Sequence, residues 1–254
     1  MRIAVAGGTG TLGKYVMQAA ERGGHDAKCL SRATGIDLRT GVGLEGALEG
    51  IDVIVDATNG STVSAARATA FFTSVTRRLQ QSGAAAGASR LMTVSIVNID
   101  RVSGYGYYKA KLAQEAAALE GPLPVTIVRA TQFHEFPAQI MQRAHVGSRY
   151  PMPRMRVQTV AARSVGEVVV DLAGDPPEQT TVDVAGPTIA DLIDLARAVI
   201  RRRGITGKVV TVPFPGRVGA AMRSGALTPA AGALIVGPSF EEWLPGPDIE
   251  AVPL

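Results

Sequence analysis

The stretch Val5-Ala6-Gly7-Gly8-Thr9-Gly10-Thr11-Leu12-Gly13 decides the fold. Ile3, Ala4 and Val5 form the short apolar run that a buried parallel strand requires, and Leu12, Val16 and Ala20 then recur at helical spacing. The glycines therefore fall at a strand-to-helix turn. Gly8-x-Gly10-x-x-Gly13 meets the dinucleotide-binding spacing, and Gly7-x-x-Gly10-x-x-Gly13 meets the related spacing that begins one residue earlier. In either register one glycine makes the tight turn, one admits the backbone to a pyrophosphate, and Gly13 lets the helix pack closely on the strand. The N–H groups at the helix start then face an anion. A glycine turn without a ligand is the plainer alternative, whereas a nucleoside-triphosphate loop is excluded because no Gly-Lys-Ser/Thr follows.

Outward from this turn, strands and helices alternate. A strand is expected over 27–30 after Gly23-Gly24, then a short helix marked by Leu44 and Leu48, a strand at Val53-Ile54-Val55, and a longer helix carrying Phe71, Val75 and Leu79 that stops near Gly83. A strand over 91–97, a helix over 107–119 and a strand over 125–128 continue the rhythm. Alternation of this kind means right-handed crossovers and a parallel sheet. The expected class is α/β, a doubly wound parallel sheet of the NAD(P)-binding Rossmann kind. Between 131 and 163 no clear strand-helix unit is expected. A helix over 165–172, a strand over 181–185 returning to the main sheet and a helix over 189–200 follow. Thr188 with Asp191 resembles a capping pair, and Ile189, Leu192, Ile193, Ala196, Val199 and Ile200 share a face. The chain is thus expected to divide into a cofactor-binding core over 1–131 and a small C-terminal, substrate-covering region over 132–254.

At 254 residues and 46% hydrophobic, the chain can bury one large core. Its one cysteine, Cys29, excludes a disulfide scaffold and fits a reducing compartment. No apolar stretch of signal-peptide length opens the sequence, and the uncharged run 224–240 is interrupted by Pro229 and Pro238, so a cytoplasmic protein without a membrane partner is expected. The net charge of +4 is spread over many arginines, and its densest cluster, Arg201-Arg202-Arg203, ends an expected helix where cations suit the macrodipole. Aromatics at 5% argue against a nucleic-acid face. His25, His134 and His145 lie far apart without a Cys or carboxylate at ligand spacing, so no metal is expected.

The end of the second strand speaks to the cofactor. A carboxylate there would accept the ribose 2′-hydroxyl of NAD, but the chain reads Cys29-Leu30-Ser31-Arg32. Ser31 can donate to a 2′-phosphate and Arg32 can grip it with its fork of donors, which favours NADP(H) over NAD(H). An ordinary surface arginine is the alternative.

The chain resembles the atypical short-chain dehydrogenases/reductases of the NmrA-like, NAD(P)H-binding group. The resemblance rests on residues 7–13, Ser31-Arg32, Gly35-Ile36-Asp37-Leu38, Val94-Ser95-Ile96-Val97, Tyr107-Tyr108-Lys109-Ala110-Lys111-Leu112-Ala113, Val128-Arg129-Ala130-Thr131-Gln132-Phe133-His134 and Val184-Ala185-Gly186-Pro187. It implies cofactor contacts from Gly7, Gly10, Thr11, Leu12 and Gly13, with Asp37 and Leu38 flanking the adenine. It also runs Asp56, Ala57, Thr58 and Asn59 beside the adenosine ribose, at the end of what the family counts as the fourth strand, and Ala130, Thr131 and Gln132 near the nicotinamide. Asp37 is equally readable as a turn aspartate, and Asp56 as a cap or turn residue. In the wider superfamily a Tyr four residues before a Lys is the general acid of carbonyl reduction and a preceding strand-end Ser binds the substrate oxygen, which implies Ser95, Tyr107 and Lys111 as the catalytic set. Positions i and i+4 share a helix face, so Lys111 would reach the cofactor ribose with its charge near the Tyr107 hydroxyl, lowering a phenol pKa of about 10. Tyr108 and Lys109 offer a competing pair, Tyr107 is alternatively a packing residue, and Ser95 a plain strand residue.

Phe133, His134, Phe136, Tyr150, Met152 and Met155 suggest an apolar pocket for a flat ring such as a quinone, although scattered core residues would give the same composition. His134 reads either as a second proton donor or as a structural residue. The expected function is NADPH-dependent reduction of a small apolar, planar acceptor (quinone, carbonyl or enone) by a monomer or homodimer. The alternative class is a catalytically silent NADP(H)-binding redox sensor. A sugar-nucleotide epimerase is a weaker third reading, since that group usually has an acidic residue where Ser31 sits and a longer C-terminal region.

Overall fold

A computed structural model describes residues 1–60, 64–250 and 252. The first strand, β1 (Arg2–Ala6), is buried from Ile3 to Ala6, as a strand covered on both faces must be. It leads through the glycine turn into α1 (Gly13–Arg22), which buries Tyr15, Val16, Ala19 and Ala20. β2 (Asp26–Leu30), α2 (Leu44–Leu48), β3 (Val53–Asp56), α3 (Ala65–Ala85), β4 (Arg90–Ile96), α4 (Gly106–Leu119) and β5 (Val125–Ala130) continue the alternation. The stretch at 56–59 thus ends the third strand in chain order, not the fourth.

After β5 come α5 (Phe136–Ala144), β6 (Arg149–Pro153), β7 (Arg156–Val157), α6 (Ala162–Gly174), β8 (Thr181–Ala185), β9 (Ala190–Asp191) and α7 (Leu192–Arg203). β10 (Lys208–Val212), α8 (Gly216–Ser224), β11 (Leu234–Ile235) and α9 (Phe240–Trp243) complete the described chain. Seven parallel strands form the main sheet in the order β11-β8-β5-β4-β3-β1-β2. β1 lies between β2 and β3, with Ala6 opposite Leu30 on one side and Asp56 on the other. That register sets the end of β3 beside the glycine turn.

The chain divides into two compact units. The first comprises Met1–Ser95, Tyr105–Arg129 and Arg163–Val182. Its core gathers Leu30, Leu44, Leu48, Ile54, Val75, Leu79 and Leu91, each almost or wholly buried and worth roughly 1.5–3 kcal/mol of transfer free energy.

The second unit comprises Ile96–Gly104, Ala130–Ala162 and Asp183–Leu254. Here the expectation of no clear strand-helix unit over 131–163 is corrected: α5, β6 and β7 lie within it. Pro151 and Pro153 conceal β6, because proline is tolerated only in edge strands, and β6 belongs to a two-stranded sheet with β10. The start of α7 is corrected too. Asp191, not Thr188, is the N-cap, its carboxylate accepting from the Ile193 N–H at 2.9 Å, and Ile189 is 49% exposed, outside the buried face of Leu192, Ile193, Leu195, Ala196 and Val199. The preceding Ala190-Asp191 is instead taken by β9, which pairs antiparallel with β7.

Candidate functional site

The glycine turn is held by its own backbone. Gly7 N–H donates to Leu30 O at 3.2 Å, Gly8 N–H to Val5 O at 3.2 Å and Gly10 N–H to Gly7 O at 2.9 Å. Gly7 has φ +77°, and a Cβ there would stand 2.8 Å from Ala57 O. A Cβ at Gly13 would stand 2.1 Å from Gly7 O, so only glycine lets α1 start this close to β1. Leu12 is the N-cap, and the first turn of α1 closes back onto the glycine turn: Lys14 N–H donates to Gly10 O at 3.2 Å, and the Tyr15 and Val16 N–H groups donate to Leu12 O at 2.9 and 3.1 Å. The first turn of α1 carries no acidic residue, so nothing there repels an anion. The positive end of the α1 dipole, reached through a turn without side chains at Gly7, Gly8, Gly10 and Gly13, suits the pyrophosphate of a dinucleotide.

At the end of β2, Ser31 N–H donates to Thr34 Oγ1 at 3.1 Å, which shapes a short turn over Arg32–Thr34. The Ser31 hydroxyl lies 3.4 Å from Thr34 Oγ1. The Arg32 carbonyl accepts from Gly35 N–H at 3.1 Å, while its exposed guanidinium has no hydrogen-bond or ion-pair partner among the described residues. Asp37 takes the turn role: its Oδ1 accepts from Arg39 N–H at 2.8 Å, and its own N–H donates to Val42 O at 3.0 Å. The Arg39 N–H holds its carboxyl below the ordinary carboxylate value. Leu38 packs half-buried against the core of the first unit.

At the end of β3 the Asp56 carboxylate is completely buried and accepts four hydrogen bonds. Thr58 N–H (3.1 Å) and Thr58 Oγ1 (2.6 Å) bind Oδ1, while Thr76 Oγ1 (2.7 Å) and Gln114 Nε2 (2.8 Å) bind Oδ2. Thr58 is therefore turned inward; Ala57 is half-buried and Asn59 exposed.

The three residues of the expected catalytic set all lie in the first unit, but no hydrogen bond joins Ser95 to the others. Ser95, at 3% exposure, has a buried hydroxyl without a hydrogen-bond partner. Tyr107 is half-buried, and its hydroxyl donates to Asn59 Oδ1 at 2.9 Å. Its ring meets that of Phe72 edge-on at 6.1 Å. Lys111 is buried, with its ammonium donating to Val94 O at 2.8 Å and to Gln114 Oε1, and lying 4.8 Å over the Phe72 ring. Burial lowers its pKa to about 8, against an upward pull from Asp56 and Glu115. Helical spacing placed Lys111 on the right face but not its ammonium, which turns into the fold. Of the competing pair, Lys109 faces solvent, and burial pushes the Tyr108 phenol well above its usual range. Gln114 escaped the sequence reading, although its place three residues after Lys111 puts it on the same face.

In the second unit, Ala130 is buried at the end of β5, and Thr131 donates from its hydroxyl to Gln158 O at 2.6 Å. The Gln132 side-chain oxygen is buried without a partner. His134 is structural. Its Nε2 lies 3.1 Å from Pro238 O, which can only accept, so Nε2 carries the proton and Nδ1 accepts from Thr159 Oγ1 at 2.8 Å. Phe240 and Trp243 pack against the ring at 5.4 and 5.2 Å, and burial lowers its pKa to about 4. Met152 and Met155 are at 0% and 2% exposure; with His134 they are core, which corrects their expected place in a pocket wall. Among the described residues no cluster of His, Cys, Asp or Glu could hold a metal, and no helix is long and apolar enough to cross a membrane.

No family model and no curated protein sequence matches the chain. Solved structures do. A short-chain dehydrogenase/reductase superfamily protein from Agrobacterium tumefaciens with bound NAD aligns over 99% of this chain and 96% of its own, at TM-score 0.68 and 17% identity. A dTDP-4-dehydrorhamnose reductase from Clostridium acetobutylicum aligns over 96% and 97%, at TM-score 0.70 and 14% identity. These structures share with this chain the Rossmann-like α/β fold, a seven-stranded parallel sheet flanked by helices. A UDP-N-acetylglucosamine 4-epimerase from Bacillus cereus shares it at TM-score 0.61 and 15% identity, over 89% of this chain and 96% of its own. The match reaches the short-chain dehydrogenase/reductase fold and no finer group within it.

Proposed function

We propose that the protein binds NADP(H) at the turn between β1 and α1 and reduces a small carbonyl or enone acceptor. The glycine turn carries the reading: Gly7 and Gly13 let α1 start close against β1 and β3, the arrangement that brings a helix N-terminus to a dinucleotide pyrophosphate. The Arg32 guanidinium, exposed and unpaired two residues past β2, is the cation for a 2′-phosphate, with the Ser31 hydroxyl beside it. The matching structures that carry NAD or are named as reductases agree with a nicotinamide cofactor.

When bound, the reduced nicotinamide supplies a hydride. The chain's own contribution is proton delivery and orientation. The buried Ser95 hydroxyl, free of any protein acceptor, is available to bind an acceptor oxygen. The Tyr107 hydroxyl is the proton donor, held by its hydrogen bond to Asn59 Oδ1. Tyr107 is preferred to Tyr108 because burial raises the Tyr108 phenol pKa, which makes it the weaker acid.

The test follows NADPH absorbance with quinones, enones, ketones and keto-sugar nucleotides. Turnover that falls about 10²–10⁴-fold in Tyr107→Phe, with NADPH binding retained, supports the reading. A second reading, a cofactor-binding sensor without turnover, is favoured by Lys111, whose ammonium is committed to Val94 O and Gln114 rather than to Tyr107. NADPH binding without turnover on any acceptor selects it.

A further inference from the structure

Three polar side chains link the end of β3 to α4 inside the first unit. Asp56 Oδ2 accepts from Gln114 Nε2 at 2.8 Å, and Gln114 Oε1 accepts from the Lys111 ammonium. The direction of the amide is fixed by chemistry. Flipped, its NH2 would face an ammonium and its oxygen a carboxylate, two repulsive contacts in place of two attractive ones. The Asp56 carboxylate thus reaches the lysine charge through one oriented amide. The remaining lone pairs of Asp56 are filled by Thr58 and Thr76, so the carboxylate cannot turn away. Lys111 is held in turn against Val94 O, the carbonyl preceding Ser95.

We infer that Gln114, locked in orientation by Asp56, is the positioning residue that holds the Lys111 ammonium at the end of β4 and keeps it charged there. This role deepens the reductase reading above and rests on it for its bearing on turnover. The groups facing the ammonium are Asp56 from β3, Gln114 and Glu115 from α4, and the Phe72 ring from α3. Glu115 is itself gripped by Arg129 of β5 through two bonds of 3.0 and 2.6 Å, so its charge is already engaged. Asp56, ahead of Glu115, is the main counter-charge to Lys111, and Gln114 is the side chain hydrogen-bonded to both.

The test is a titration of Lys111 by NMR of its side-chain nitrogen in the full chain, in wild type, Gln114→Met and Asp56→Asn. The expected midpoint is about 8 in wild type. It falls by about one pH unit or more in both variants, because a hydrogen bond and a counter-charge favouring the ammonium are lost. Thr76→Val, which removes one donor to Asp56 and leaves Gln114 untouched, gives a smaller fall and serves if a larger substitution prevents folding. Where the wild type turns over, the alkaline limb of its pH–rate profile moves down by the same amount as the NMR midpoint. An unchanged midpoint in the folded variants overturns the inference. An absence of turnover in wild type, with the midpoints shifting as expected, overturns the reductase reading and leaves the positioning role standing.

Discussion

Lys111 in the first unit and His134 in the second are both buried bases, and the protein treats them in opposite ways. Lys111 keeps its charge near neutral pH because Asp56, through Gln114, and the Val94 carbonyl replace the water it lost. His134 has been given partners suited to its neutral form, a carbonyl for one ring nitrogen and a hydroxyl for the other, within an aromatic cage. Burial lowers both pKa values, but only one group has a counter-charge. A buried charge is kept where chemistry can use it; a buried histidine kept neutral is packing.

The contrast breaks most severely at Asp56. Asp56→Ala leaves the Lys111 ammonium without its counter-charge and four donors without their acceptor, and is expected to cost about 3–5 kcal/mol of stability in urea unfolding at pH 7. A loss under about 1 kcal/mol would mean that the lysine charge needs no compensation.

Acid distinguishes the two groups next. The folded-state pKa of His134, about 4, lies below the unfolded value of 6.5, so between those values only the unfolded chain binds the proton. Stability from this group is full above 6.5 and is lost as pH falls to about 4, by about 3 kcal/mol. His134→Phe should shrink the difference in unfolding free energy between pH 7 and pH 4 by that amount. For Lys111, lowered from 10.5 to about 8, the window lies on the alkaline side: stability rises as pH climbs through it, and Lys111→Met should abolish the rise. A rise of the same size in wild type and Lys111→Met would show that Lys111 titrates normally.

How much of this was legible in the sequence depended on how local the physics is. The glycine turn and its flanking elements were readable because the spacing of Gly7, Gly10 and Gly13 is itself the geometric constraint. The faces of α4 were readable for the same reason, and so was the competition between Tyr107 and Tyr108. The destination of the Lys111 ammonium was not, because its partner Gln114 takes its orientation from Asp56, 58 residues away. The α5–β6 segment was hidden by Pro137, Pro151 and Pro153, which obey the rules for helix starts and edge strands but imitate a loop. Thr188 and Asp191 are both good caps by composition, and only the pairing of β9 with β7 decides between them. The pocket expected of Met152 and Met155 failed because side chains of that type serve cores as readily as ligand sites.

The smallest of these effects bears most directly on what the first unit is for. Dissociation constants for NADPH and NADH, measured by fluorescence titration of the wild type and Arg32→Ala, test whether the glycine turn and the free arginine beside it form one site. The expected result is NADPH bound more tightly than NADH by wild type, and a loss of about 1.5–3 kcal/mol for NADPH alone in the variant, the range for hydrogen bonds to a charged group. Equal NADPH affinity in wild type and Arg32→Ala, or no binding of either dinucleotide, would contradict the account.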